Sequence, residues 1–226
     1  MPSGRPRSSA RDYVEAIAWA VVITLLLRTF VIQAFRIPSG SMEDTLLVGD
    51  YLFVNKLEYG ARVPFTDWRL PGLHEPRRGD IIVFQFPDDP SQDYIKRCVA
   101  VGGQTVEVRH KELYVDGVRQ VEPYVKHSSW SEEPAGYTPR DNCTPPTVPP
   151  GELFMMGDNR DDSNDSRFWG TVPVGLVRGR ALFIYFSTAG NEWWNGLAHL
   201  RLDRLDRKST RLNSSHSSVS RMPSSA

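Results

Sequence analysis

A serine hydroxyl attacks a carbonyl only when a nearby base takes its proton, so the first residues to examine are serines in tight loops and bases in unusual surroundings. Residues 37–47 read IPSGSMEDTLL and place Ser39 and Ser41 on either side of Gly40. Glycine permits a sharp turn that exposes a hydroxyl and aims backbone amides at a substrate oxygen. Alone, such a loop is only a turn. The usual base for serine is histidine, but the 5 histidines here do not support that role. His74, His110 and His127 lie in polar, loop-like stretches, His199 is in a polar C-terminal region, and His216 is in a Ser-rich tail. Neither HExxH nor Cys-x-x-Cys occurs, so the sequence implies no metal and no cofactor.

Lysine is the remaining base. Lys96 sits inside the apolar run YIKRCVAV rather than on a charged face. Burial disfavours an ammonium, and bringing a lysine from its ordinary value to about 7 takes roughly 4 to 5 kcal/mol, within what desolvation supplies. The alternative is an edge-strand lysine pointing to solvent. A third polar segment, GDNRDDSNDSRFWG (157–170), follows the apolar run LFMM and reads as a hydrogen-bonded, ion-paired scaffold or as a plain polar loop. A calcium loop starting at Asp158 fails at Arg160 and lacks the closing glutamate.

These segments need elements to position them. Arg5, Arg7 and Arg11 precede a mostly apolar stretch from Tyr13 to Phe35, long enough to cross a bilayer despite Glu15 and Arg28. The positive-inside rule then keeps residues 1–12 cytoplasmic and sends the rest to the exported side of a plasma or inner membrane, in a single pass. A buried or interfacial amphipathic helix is the competing reading, and the absence of a small-x-small site before Arg36 argues for an uncleaved anchor. Beyond it, strands are expected at 51–57, 81–86, 94–101, 104–108, 153–156 and 177–186. LYVDGVRQV predicts a hairpin with Asp116 and Gly117 in a type I′ turn. No helical periodicity of useful length occurs outside the anchor. The fold class expected is mainly β: an N-terminal transmembrane helix, then an antiparallel β domain over 36–205 with a smaller inserted β subdomain at about 102–152, whose Pro/Ser-rich part is a surface excursion.

The four segments PSGSMEDTL, RGDIIVF, YIKRCVAVGG and GDNRDDSNDSRFWG, in this order behind an anchor, resemble the bacterial type I signal peptidases, over most of 13–200. The resemblance implies an endopeptidase that removes signal peptides from exported preproteins after small-x-small (Ala-x-Ala) sites. It implies Ser41 as nucleophile, Lys96 as general base, an oxyanion hole from the Ser39 hydroxyl and the Ser41 amide, and Ser163 as the group that orients the lysine by a hydrogen bond. Asp165 and Arg167 would brace the site with Arg97 beside them. Phe35, Ile37, Met42, Leu46, Tyr94 and Ile95 would line shallow pockets for an extended peptide; plain core packing is the alternative for the apolar ones. The family often has proline where this chain has Asp44, a substituted turn residue, and Asp44 also excludes the Ser-x-x-Lys arrangement of penicillin-binding proteins.

Lys plus Arg and Asp plus Glu number 27 each, and this balance gives no support to a nucleic-acid partner. The partners expected are signal peptides and membrane lipid, with a monomeric chain. Cys98 and Cys143 permit a disulfide, but Cys98 in an apolar strand is explained as a small buried hydrophobe sharing the face of Lys96. Trp193 and Trp194 are expected at the lipid interface or as a core plug. Residues 206–226 resemble a translated sequencing adapter or a disordered Ser-rich tail and carry no function. Two other classes compete: a SOS-repressor-like autoprotease, which would want a DNA-binding module in place of the anchor, and a non-catalytic envelope protein that binds peptides.

Overall fold

The computed structural model describes residues 10–64, 66, 68–188, 201 and 204. Trp193, Trp194, His199 and the 206–226 tail lie outside the described residues, as do Arg5 and Arg7. Helix α1 (Ala10–Leu26) continues as a short π-helical stretch, Leu27–Val31, and buries no side chain. An apolar helix of 22 residues that buries none of them is long enough to cross a membrane. The helix stops four residues before the expected end of the anchor. Ile32–Arg36 forms strand β1 instead, because Gln33 and Arg36 interrupt the apolar run and the backbone pairs with the next strand.

Strands β2 (Asp50–Asn55), β3 (Ile81–Gln85), β4 (Asp93–Val101), β8 (Glu152–Met156), β9 (Val172–Pro173) and β10 (Val177–Ser187) join β1 in one antiparallel sheet, ordered β1-β2-β10-β3-β4-β8-β9. Strand β3 is buried on both faces, which its continuous IIVF run requires. Ile81 and Val83 face one core with Leu52, Val54, Ala181 and Ile184, while Ile82 and Phe84 face another with Cys98, Met155 and Val177. Register shifts in β10 and between Cys98 and Ala100 in β4 curl the sheet.

Strands β5 (Val106–Arg109), β6 (Glu112–Val115) and β7 (Val118–Arg119) form a separate small sheet. Asp116 at φ 51° and Gly117 at φ 75° make the expected type I′ geometry between β6 and β7. Val106, Val108, Leu113 and Val115 pack this sheet on Val99, Phe154 and Met156 of the larger one. A short helix, α2 (Ser166–Trp169), is nucleated by Asp165, whose side chain caps the Arg167 amide, and is too short to disturb the expected mainly β class.

Candidate active site

Ser41 is held in a single 3₁₀ turn, Gly40–Met42, anchored by Met42, which is fully buried, and Leu46 beneath it. Asp44, the substituted turn residue, stands at φ 74°, a left-handed conformation that aspartate tolerates and a proline ring forbids. Lys96 comes from the middle of β4 and is only 4% exposed. Its Nζ donates a hydrogen bond to Ser41 Oγ, across 55 residues of chain, and lies 5.7 Å from the centre of the Tyr94 ring. Burial pushes the Lys96 ammonium down to about 8, against the opposing pull of Asp165, Asp158 and Asp162. Ser39 Oγ lies 3.4 Å from Ser41 Oγ. As part of the first turn of a 3₁₀ helix, the Ser41 amide has no intrahelical partner.

The 157–170 loop is stitched to this turn. Asn159 donates its amide to Ser41 O at 3.1 Å and its Nδ2 to Gly40 O at 3.1 Å. Gly157 has to be glycine, because a Cβ there would overlap Ser163 Oγ and the Ser41 carbonyl oxygen. Asp165 is fully buried and pairs with Arg167, whose guanidinium offers Nε at 2.8 Å to Oδ1 and Nη2 at 2.8 Å to Oδ2. Burial raises the Asp165 carboxyl, but Arg167 outweighs it and holds the group below its ordinary range.

Two site expectations change. Arg97 does not join the Asp165–Arg167 pair: strand alternation turns it away from Lys96, and it binds Asp158 through Nε at 2.8 Å and Nη2 at 2.6 Å. Ser163 Oγ makes no hydrogen bond to Lys96; it is buried over Gly157, beside Asp165, and has no partner in hydrogen-bonding geometry among the described residues. Sequence reasoning assigned nothing to Thr45, whose hydroxyl donates to Asp158 Oδ2 at 2.6 Å and so ties the segment after the Ser41 turn to the Arg97 pair.

A cleft of about 510 Å³ opens over Ser41 and Lys96, with Ser39, Tyr94, Ile95, Asp162 and Asn164 in its wall. Of the residues expected to form pockets, Tyr94 and Ile95 line this cleft. Ile37, Met42 and Leu46 are buried in the core cluster that Ile95 closes from above, and Phe35 packs against that cluster. Cys98 and Cys143 are both free thiols, and burial pushes Cys98 up to about 12, which leaves it inert as a nucleophile.

Residues 10–186, which include both Ser41 and Lys96, match the family model described as signal peptidase, peptidase S26. The chain belongs to that family. It is 37% identical to the signal peptidase I of Pseudomonas aeruginosa over 205 residues, covering 78% of this chain and 72% of that protein. It is 38% identical to a probable signal peptidase I-1 of Synechocystis over 195 residues, 83% of this chain and 88% of that one. With the signal peptidase I of Aquifex aeolicus the identity is 33% over 228 residues, 78% of this chain and 84% of that protein. Membership of S26 makes the chain a serine-type peptidase. All four quoted sequence segments fall inside the matched stretch.

Proposed function

We propose that this chain removes N-terminal signal peptides from exported preproteins after Ala-x-Ala sites, with Ser41 as nucleophile and Lys96 as general base. The observation that carries the reading is the hydrogen bond between Lys96 Nζ and Ser41 Oγ at the floor of the cleft, with no carboxylate ion-paired to the amine among the described residues. In the neutral amine the contact runs the other way, with Oγ–H donating to Nζ. As Oγ attacks the scissile carbonyl carbon, its proton passes to Nζ, and the carbonyl π electrons move onto oxygen. The Ser41 amide and the Ser39 hydroxyl receive that oxyanion. Collapse expels the amine of the mature protein, which takes the proton from Nζ and leaves an acyl-enzyme on Oγ. Water then gives a proton to Nζ, attacks the ester, and releases the signal peptide as its acid while Oγ recovers its proton.

The substrate binds as an extended strand. Strand β8 pairs with β4 only from Arg97 onward, so on that side Asp93–Lys96 presents unpaired main chain beside Ser41. Main-chain hydrogen bonds there align the peptide, and the core rising to Ile95 leaves room for small side chains only. Asp165, Arg167 and Ser163 hold the back of the site. Helix α1 spans the membrane once with Arg11 and the preceding arginines on the cytoplasmic side, which places the cleft on the exported side close to the bilayer surface. The chain works as a monomer.

The test is cleavage of a preprotein by the purified chain in detergent. Wild type should cut after Ala-x-Ala, and Ser41→Ala and Lys96→Met should each abolish turnover while binding persists. Retained activity in either variant would sink the dyad.

A further inference from the structure

The cleft over Ser41 and Lys96 has two carboxylates in its wall, Asp93 and Asp162, and the fold treats them unequally. Asp93, at the start of β4, is answered by Arg178, whose Nε stands 3.3 Å from Oδ1. Asp162 is exposed, and among the described residues its carboxylate has no hydrogen bond or ion pair; its amide alone is engaged, donating to Asn159 O at 3.2 Å. The cations of the neighbouring segments are taken up elsewhere. Lys111 holds Asp161 at 3.1 Å, Arg160 holds Glu122 at 2.7 Å, and Lys126 is shared between Glu43 at 3.3 Å and Asp44 at 3.5 Å. A Cβ on Gly40 would stand 3.8 Å from Glu43 Oε2 and 3.9 Å from Asp162 Oδ2, so these two carboxylates flank the residue that leads into Ser41. With Lys96 neutral, as its role as base requires, Glu43, Asp44 and Asp162 surround the nucleophile turn with Lys126 as their ion-paired cation.

The course of the substrate brings it past this charge. The lane beside β4 is open along Asp93–Lys96 and is closed from Arg97 onward by β8, whose last residue, Met156, leads into the 157–164 loop. Signal-peptide residues fill the open lane up to Ser41, so the residues after the cut have to turn out of it across the part of the loop that carries Asp162 and Asn164. We infer that Asp162 sets a charge preference at the first two residues of the mature protein, favouring lysine or arginine there and disfavouring aspartate or glutamate. The inference rests on the signal-peptide-cleaving reading of the cleft and on the direction of the peptide in it. The reach of the Asp162 charge is visible at Lys96: burial lowers that ammonium, Asp165 raises it, Arg167 lowers it, and Asp158 and Asp162 raise it. An exposed carboxylate acts over several ångströms and is screened by salt, so it grades substrates by charge rather than deciding whether a peptide is cut at all.

The test measures kcat/KM of the full chain in detergent on one preprotein whose first two residues after an Ala-x-Ala cut are both lysine, both glutamine or both glutamate. At low salt the order should be lysine, glutamine, glutamate, with about fivefold between first and last, the size of one charge contact at an exposed site. High salt should compress the spread. Asp162→Asn should flatten the order, Asp162→Glu should keep it, and Asp162→Lys should invert it, a response that a residue needed only for folding does not give. Each ratio is taken within one variant at one pH, so any effect of the substitution on Lys96 cancels. Glu112→Gln, on β6 of the small sheet, should leave the order as in wild type. If Asp162→Lys fails to fold, the Asn and Glu variants, which change the side chain least, carry the comparison. An equal or reversed order in wild type, or a lysine-to-glutamate ratio that survives Asp162→Asn, would overturn the inference while leaving the signal-peptide-cleaving reading intact. A wild-type chain that cuts none of the three preproteins sinks that reading and the charge preference with it.

Discussion

Adjacent residues on β4 bury two cations on opposite faces of the sheet, and they are treated in opposite ways. Arg97, fully buried, meets Asp158 with two hydrogen bonds, gives a third to Gly79 O at 2.9 Å, and lies with its guanidinium 3.7 Å from the centre of the Tyr124 ring. Burial opposes its charge, but Asp158 outweighs that and raises the group above its ordinary value. Lys96, 4% exposed, meets one hydroxyl and an aromatic ring, and burial moves it down to about 8. A buried cation with a carboxylate is scaffold, because its charge is held permanently. A buried cation without one gives up its proton near neutral pH and becomes a base.

The strongest way to break this contrast is to exchange the types. Lys96→Arg puts a group that cannot deprotonate where the chemistry needs a neutral amine, and gives it no carboxylate. Turnover of a preprotein should be lost entirely, and the buried unpaired charge should destabilise the fold by about 3 to 5 kcal/mol in denaturant melts. An active Lys96→Arg enzyme would show that position 96 is not the base.

Removing the paired cation comes next. Arg97→Met leaves Asp158 buried with Thr45 as its remaining side-chain donor, and should cost about 3 to 5 kcal/mol of stability. Because the Thr45 amide is bonded to Met42 O at the end of the Ser41 turn, activity should fall as well. The double variant Arg97→Met with Asp158→Leu should recover much of the stability, as replacing a whole buried pair by apolar groups does. Recovery of stability without activity would locate the role of the pair in positioning Ser41 through Thr45.

The pH profile tests the same contrast more gently. Only the neutral Lys96 amine accepts the serine proton, so with a value of about 8 the rate should rise with pH, climbing roughly tenfold per unit below that point and levelling above it. The stability sign agrees. The folded value lies below the unfolded 10.5, so the unfolded chain binds the extra proton between about 8 and 10.5, and folding stability contributed by this group increases with pH across that window. Arg97 adds no inflection there. A rate that is flat from pH 6 to 9, judged against the roughly tenfold slope, would mean that a different group carries the proton.

The two cations also differ in how legible they were. Lys96 could be read from sequence because a lysine in YIKRCVAV contradicts its surroundings, and the strand around it is local. The partner of Arg97 could not: Asp158 lies 61 residues away, and nothing in a run of Asp, Asn and Arg says which acid faces which base. The same limit hid Thr45, and it put Arg97 with the wrong pair. The anchor was overrun to Phe35 because Ile32, Ala34 and Phe35 continue an apolar count, although Gln33 and Arg36 already break it. For α2 the signal was present, since an Asp capping position followed by Ser-Arg-Phe starts a helix, but four residues leave no periodicity to find. Ile37, Met42 and Leu46 illustrate the reverse: apolar residues near a nucleophile suit a pocket wall and a core equally, and only packing showed them beneath the cleft.

The smallest expected effect concerns Ser163. The residue is 6% exposed, its hydroxyl lies beside Asp165 and helps hold that carboxyl down, but among the described residues it has no partner in full hydrogen-bonding geometry. An unpaired buried hydroxyl costs about 1 to 3 kcal/mol of desolvation, so Ser163→Ala should leave stability unchanged or raise it by up to about 1 kcal/mol. If the hydroxyl takes up the Lys96 amine once substrate fills the cleft, kcat should fall by about ten- to a hundredfold with KM unchanged, because that hydrogen bond is made only on the way to the transition state. A drop in stability with full turnover would make Ser163 a packing residue. It would also leave the lysine oriented by Ser41 and the Tyr94 ring alone, and narrow the difference between the two faces of β4 to the presence or absence of a single carboxylate.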